Sequence, residues 1–143
     1  MIEIKITGTA ETIGNLRDIT GEIERIAADQ IEKVSGRAYR AVQKVVNQSG
    51  GGEPSQPDNA PHKDSGDLYA SLYKEKQGEL IVRIGTPLDY GKMLEYGTRH
   101  MKRRPWLVRT VMKYRKQFYA GMNSRIRNAV KKMGVEGAKV RFK

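Results

Sequence analysis

Few side chains in this 143-residue chain could do chemistry. There are two histidines, His62 and His100, and neither has a second histidine at the HxxxH spacing that places two ligands on one helix face. His62-Lys63-Asp64-Ser65 contains the letters of a hydrolase triad, but a triad is assembled by geometry in the fold and not by adjacency. Asp64, Asp67, Asp89 and Glu95 could form an acid/base or metal set, as in a small nuclease using Asp64, Asp67 and Glu95. The three aspartates suit helix caps and first turns better, and Glu95 suits an ion pair with the basic loop that follows it. Gly50-Gly51-Gly52 lacks the Lys and the strand-to-helix setting of a phosphate loop. No cysteine is present, so thiol chemistry, thiolate metal sites and disulfides are excluded. The reading is a protein that is not an enzyme and needs no metal or cofactor.

Basic residues are the stronger signal. Arg99, Lys102, Arg103, Arg104 and Arg109 cluster near Trp106 and Tyr114, a mixture that can contact phosphates and stack bases. The net charge of +11 is divided very unevenly. Residues 1–98 hold 12 Lys/Arg against 15 Asp/Glu, whereas residues 99–143 hold 15 Lys/Arg against Glu136 alone. Such a split points to a polyanion or to an acidic neighbouring subunit, and equally to a solvated basic helix face. No known nucleic-acid motif accompanies the patch. Trp106 at a helix start suits a core or interface anchor.

The elements that must position these groups follow from periodicity. Ile2, Ile4 and Ile6 alternate with Glu3, Lys5 and Thr7, the pattern of a half-buried strand. Leu16, Ile19, Ile23, Ile26, Val34, Ala38, Ala41, Val42 and Val45 then recur at helical spacing, with a break expected near Thr20-Gly21. Residues 48–63, with three glycines and three prolines, predict a flexible surface loop inside a single 1–143 domain. A short helix opens around Asp64–Asp67 and carries Leu68 and Leu72; a hairpin turns at Gln77-Gly78; a second short helix runs from Pro87 to Gly97 with Tyr90, Met93 and Leu94 as its apolar side. Pro105 marks the first position of a long helix through Val108, Val111, Phe118, Met122, Ile126, Ala129 and Met133. Ala138, Val140 and Phe142 alternate as a closing strand. The expected fold is α+β: a small antiparallel sheet of both terminal strands and the hairpin, covered by two long helices, with two short helices flanking the hairpin. No apolar run reaches the roughly 18 residues of a membrane span, and the alternating N-terminus lacks a secretory core, so a soluble protein made and used without export is expected.

Two stretches carry a resemblance. Pro61-His62-Lys63-Asp64-Ser65-Gly66-Asp67-Leu68-Tyr69-Ala70-Ser71-Leu72 resembles the "aP…(T/S)G-x-L-x-x-S" signature of phage tail-completion and neck proteins. Val82-Arg83-Ile84-Gly85-Thr86, Asp89-Tyr90-Gly91, Leu94-Glu95-Tyr96-Gly97-Thr98 and Arg104-Pro105-Trp106-Leu107 resemble that family's "V-x-V-G-(T/S)…Y-A-x-x-x-E-(F/Y)-G-T…R-P-(F/W)-(L/M)" run. The family includes minor tail protein Z-like lambdoid tail components. The likeness covers about residues 61–111, with Gly91 where Ala is usual and Trp106 where Phe is usual.

The resemblance implies a structural virion protein of a long-tailed phage or prophage, acting in head–tail joining or tail completion. It implies a ring, often sixfold, around the DNA channel, with tail-tube, terminator or connector proteins as neighbours and no membrane. The protein would sit in the virion neck or tail and pass through the host cytoplasm during assembly. Ser65, Gly66, Leu68, Gly85, Tyr90, Glu95, Gly97, Thr98, Pro105 and Trp106 then have folding and assembly roles. Arg99, Lys102, Arg103, Arg104 and Arg109 would touch an adjacent subunit or the DNA in the channel. The alternative is a non-specific nucleic-acid-binding module.

Overall fold

A computed structural model describes residues 10–48, 50 and 53–132, with side chains from residue 18 onward. The α+β architecture expected from the sequence is present. Helix α1 (Ala10–Val46) is followed by α2 (Asp67–Ala70), strands β1 (Tyr73–Gly78) and β2 (Ile81–Gly85), and helices α3 (Asp89–Tyr96), α4 (Val108–Met112) and α5 (Arg115–Lys132). The two proposed terminal strands, with Met133, lie outside the described residues. Among the described residues the sheet has two strands, β1 antiparallel to β2.

The spine is α1, whose 37 residues rise about 55 Å. It runs unbroken through Gly21, where a side chain would meet open space, so that glycine costs helix propensity and nothing more. Its buried row is Ile26, Gln30, Val34, Ala38, Val42 and Val46, one residue every fourth position. That row meets two apolar clusters. At the C-terminal end, Val42 and Val46 pack with Leu68, Leu72 and Trp106. Nearer the N-terminal end, Ile26 packs with Met122, Ile126 and Val130 of α5. Between them Gln30 sends its amide to the Gln117 carbonyl and occupies the space above Gly121. A Cβ at Gly121 would push that amide aside, which the flexible Gln30 side chain permits, and alanine favours the helix, so Gly121→Ala is expected to change stability by less than about 1 kcal/mol, read from the urea midpoint.

Several local expectations are corrected. Leu68 and Leu72, which share the face of the short helix expected from the sequence, pack on Val42 and Val46 of α1 and on Trp106, with Leu72 just past the end of α2. The hairpin turn is Glu79-Leu80, with the register shifted around Gln77, so Leu80 leaves the strand and is exposed. Tyr90 and Met93 are exposed, and α3 buries Gly91 and Glu95 instead. The long C-terminal helix is two helices separated by a turn at Lys113-Tyr114, and the first begins at Val108, three residues after Pro105. Val108 is exposed, while Val130 joins the core.

Ion pairs tie the outer surface. Lys74 of β1 pairs with Glu32 of α1, and Asp29 pairs with Lys33 one turn on and with Arg125 of α5. The hydrogen bond from Lys33, followed by that from Arg125, holds the Asp29 carboxyl below its ordinary value of 3.8. A depressed carboxyl contributes stability above its unfolded pKa and loses it as pH falls through the folded one. Asp29→Asn is therefore expected to be slightly less stable than the parent near neutral pH, by little because the pair is exposed, and to converge with it as pH falls below 3.8 and the parent's carboxyl takes up its proton. Urea titrations from pH 5 down to pH 2.5 measure this.

Candidate functional site

The polar groups that the sequence marks as special converge where α2, α3 and the start of α4 meet. Glu95 is only 7% exposed, yet no described cation pairs with it. One carboxylate oxygen accepts the backbone N–H groups of Trp106 and Leu107, both at 2.8 Å, and the other accepts that of Val108 at 3.0 Å. A helix start leaves its first N–H groups without intrahelical partners. Here the cap comes from another helix, and the negative charge also suits the positive end of α4. This corrects the expected ion pair between Glu95 and the basic loop. Pro105 precedes the helix by three residues, and the N–H groups from Trp106 to the first helical residue, Val108, are the ones that Glu95 accepts.

Trp106, 1% exposed, seals the arrangement. Its indole N–H donates to the Gly91 carbonyl at 3.0 Å. A Cβ on Gly91 would sit 2.5 Å from the Thr86 methyl and 3.5 Å from the indole ring, so α3 lies directly against both. The other signature residues lock neighbouring turns. Ser71 donates to the Leu68 carbonyl and shares a 2.6 Å bond with Thr86, whose hydroxyl also accepts the Leu88 N–H. Gly85 is buried with Tyr73 against it, so close that a Cβ would stand 3.1 Å from the phenol oxygen. Gly66, at φ 93°, forms the N-cap of α2, and the adjacent Ser65 hydroxyl accepts the Asp67 N–H and donates to its carboxylate.

Gly97 ends α3 at φ 80° and ψ 177°, a region open in practice to glycine alone. This is not the left-handed helical conformation common at helix C-termini, since ψ near 180° sends the chain out extended. A Cβ there would lie 2.9 Å from both the Arg103 nitrogen and the Met101 oxygen. Gly97→Ala is expected to cost about 2–3 kcal/mol, seen as a lowered thermal midpoint. Thr98 next organises the basic loop: its hydroxyl accepts the N–H groups of His100 and Met101.

The five basic candidates separate into two groups. Arg103 pairs with the Asp58 carboxylate, Arg109 donates to the Asp58 carbonyl, and Arg104 donates its Nε–H to the Ser55 carbonyl. These three hold residues 53–63 against the basic loop, reinforced by the Asp58 N–H on the Arg103 carbonyl. Arg99 and Lys102 are exposed and carry no ion pair among the described residues. Asp58 and Ser55 were not singled out from the sequence. The available signal was Pro57-Asp58-Asn59, since Asp tolerates the positive φ of 65° that Asp58 adopts in this turn.

A groove of about 510 Å³ lies between the 53–66 segment and α3, floored by Val46, Leu68 and Leu94. His62 sits in its wall with Nδ1 hydrogen-bonded to the Glu53 carbonyl, and Gly50 approaches the imidazole so closely that a side chain there would collide. Tyr90 lines the groove too; partial burial raises its phenol pKa, as do the charges of Asp67 and Asp64, against a hydrogen bond with the Leu68 backbone. No group of three or more His, Asp or Glu side chains among the described residues could hold a metal ion.

Fold and site together define a small α+β module whose buried carboxylate is occupied by its own backbone. The chain belongs to the HK97-gp10-like family, described as "Bacteriophage HK97-gp10, putative tail-component", whose model matches residues 10–97. It is a phage tail-related structural protein. No curated protein and no solved structure matches it.

Proposed function

We propose that the whole 143-residue chain is a ring subunit at the head–tail junction or the tail end, acting in joining or tail completion like the minor tail protein Z-like components it resembles. The carrying observation is membership of a phage tail-component family through α1–α3. Glu95 and Trp106 extend that matched region into a rigid unit that fixes the basic loop and α4. A closed ring requires two different complementary surfaces on each subunit. Support comes from the charge split and from large apolar side chains left outside, including Met93 and Tyr96 on α3 and Met112 on α4. Tyr96 is 68% exposed although it adjoins the buried Glu95. The partners are other copies of the chain and the tail-tube, terminator or connector proteins next to it, within the virion after assembly in the host cytoplasm.

A second reading, contact with DNA phosphates in the channel, is favoured by Arg99 and Lys102, which the fold leaves exposed. Adding purified protein to an extract of the gene-disrupted phage tests the first reading. Restored infectious particles support it, and an extract that stays uninfectious while control proteins complement their own mutants defeats it. For the second, Arg99→Gln with Lys102→Gln is expected to lower the salt slope of DNA binding by about 2, measured by filter binding. Unchanged slopes remove the DNA reading.

A further inference from the structure

The groove between the 53–66 segment and α3 holds polar groups that the fold leaves unused. Ser55 is 4% exposed, and its hydroxyl has no hydrogen-bond partner. A buried hydroxyl without a partner is costly, and most native examples have one. Arg104, half-buried in the same wall, spends Nε–H on the Ser55 carbonyl, and its guanidinium pairs with no carboxylate among the described residues. Its backbone N–H is fixed to the Leu94 carbonyl at 2.6 Å, which places it at the C-terminal end of α3. Asp64 and Asp67 lie at the other end, beside Tyr90, and neither is paired with a described cation. Tyr90 and Leu94 are one helical turn apart, about 6 Å. The groove thus has an apolar floor, a cationic end and an anionic end, with oppositely charged Glu53 and Lys63 also on its rim.

We propose that this groove seats residues 2–6 of a second copy of the chain, with Glu3 at Arg104 and Ser55, and Lys5 at Asp64 and Asp67. The sequence Ile2-Glu3-Ile4-Lys5-Ile6 matches the groove in three respects. Glu3 and Lys5 fall on one side of an extended segment about 6.5–7 Å apart, which matches one turn of α3. The isoleucines on the other side suit the floor of Val46, Leu68 and Leu94. Reach excludes the chain's own groove. Val46, in the groove, is about 54 Å along α1 from Ala10, while nine extended residues span at most about 32 Å. The segment must therefore come from a neighbour, head to tail, which is the kind of contact a ring repeats. The inference rests on the ring reading and supplies one of its two surfaces.

A fluorescein-labelled peptide of residues 1–8 titrated into the full chain, followed by anisotropy, tests it. The peptide is expected to bind, and Arg104→Glu to weaken it about tenfold. A peptide carrying Glu3→Lys should prefer the Arg104→Glu protein. Ser55→Ala should weaken binding severalfold with no loss of thermal stability, because it removes a hydroxyl that bonds to nothing in the free subunit. A scrambled peptide binding equally well, or no effect of Arg104→Glu in protein with unchanged Trp106 fluorescence, would overturn the proposal. If extract complementation succeeds and the peptide does not bind, the groove inference falls and the ring reading stands. If the peptide binds as expected and complementation fails, the groove keeps its occupant and the junction role falls.

Discussion

Glu95→Ala is expected to lose about 4 kcal/mol of folding stability, with a thermal midpoint lowered by roughly 15 °C. The reasoning starts from three backbone donors. The N–H groups of Trp106, Leu107 and Val108 all end on this carboxylate, which is itself buried beside the buried Trp106. Removing it strands the Trp106 N–H, which is buried, and takes the acceptor from the part-buried Leu107 and Val108 N–H groups, and each stranded donor costs about 1–3 kcal/mol. Part of that is recovered by relaxation of the α4 start, which sets the net figure below the sum. Since domains of this size are stable by about 5–15 kcal/mol, the loss is a large share of the total. Glu95→Gln keeps the shape and one acceptor oxygen but turns an amide N–H₂ toward the remaining donor, so about half the loss is expected. The protein's sole tryptophan sits at the site, so fluorescence and circular dichroism in urea report local and global unfolding side by side. Equal stability of Glu95→Ala and the parent would refute the capping role.

Trp106→Ala is expected to cost a similar amount, about 3–5 kcal/mol, through the cavity it opens among Val42, Val46, Leu68 and Leu72. Here the mechanism is apolar, so the loss should not be shared with Trp106→Phe. Phenylalanine, the usual residue in the pattern this chain resembles, fills most of the space and gives up the indole bond to the Gly91 carbonyl. About 1–2 kcal/mol is expected for it. Adding Glu95→Ala to Trp106→Ala should be distinctly less than additive, because both changes release the same start of α4. Urea unfolding followed by circular dichroism measures the four proteins on one scale. Strict additivity would show that the two residues act on separate parts of the fold.

Much of this was legible in the residues. The alternation of Leu80, Val82 and Ile84 marked the hairpin, and the recurrence at threes and fours from Leu16 to Val45 marked the helix that carries the core. Gly66 and Gly97 announced backbone turns, and both have positive φ. What was not legible depends on long-range pairing. Glu95 followed by a run of Lys and Arg reads as a salt bridge, because sequence shows charges and conceals which N–H groups a Pro-interrupted chain leaves open. The same blindness applied to Asp58 and Ser55, whose arginine partners stand 45 and 49 residues away. Tyr90 and Met93 looked like a core face because they are apolar; the helix turns inward the residue small enough for close contact and the one carboxylate its neighbour needs.

The role of the fold is tested most directly by electron microscopy of lysates from the parent phage or prophage with this gene disrupted. DNA-filled heads accumulating apart from tails, or tails that fail to join or finish, are the predicted result. Normal joined particles with undiminished infectivity would contradict the junction role.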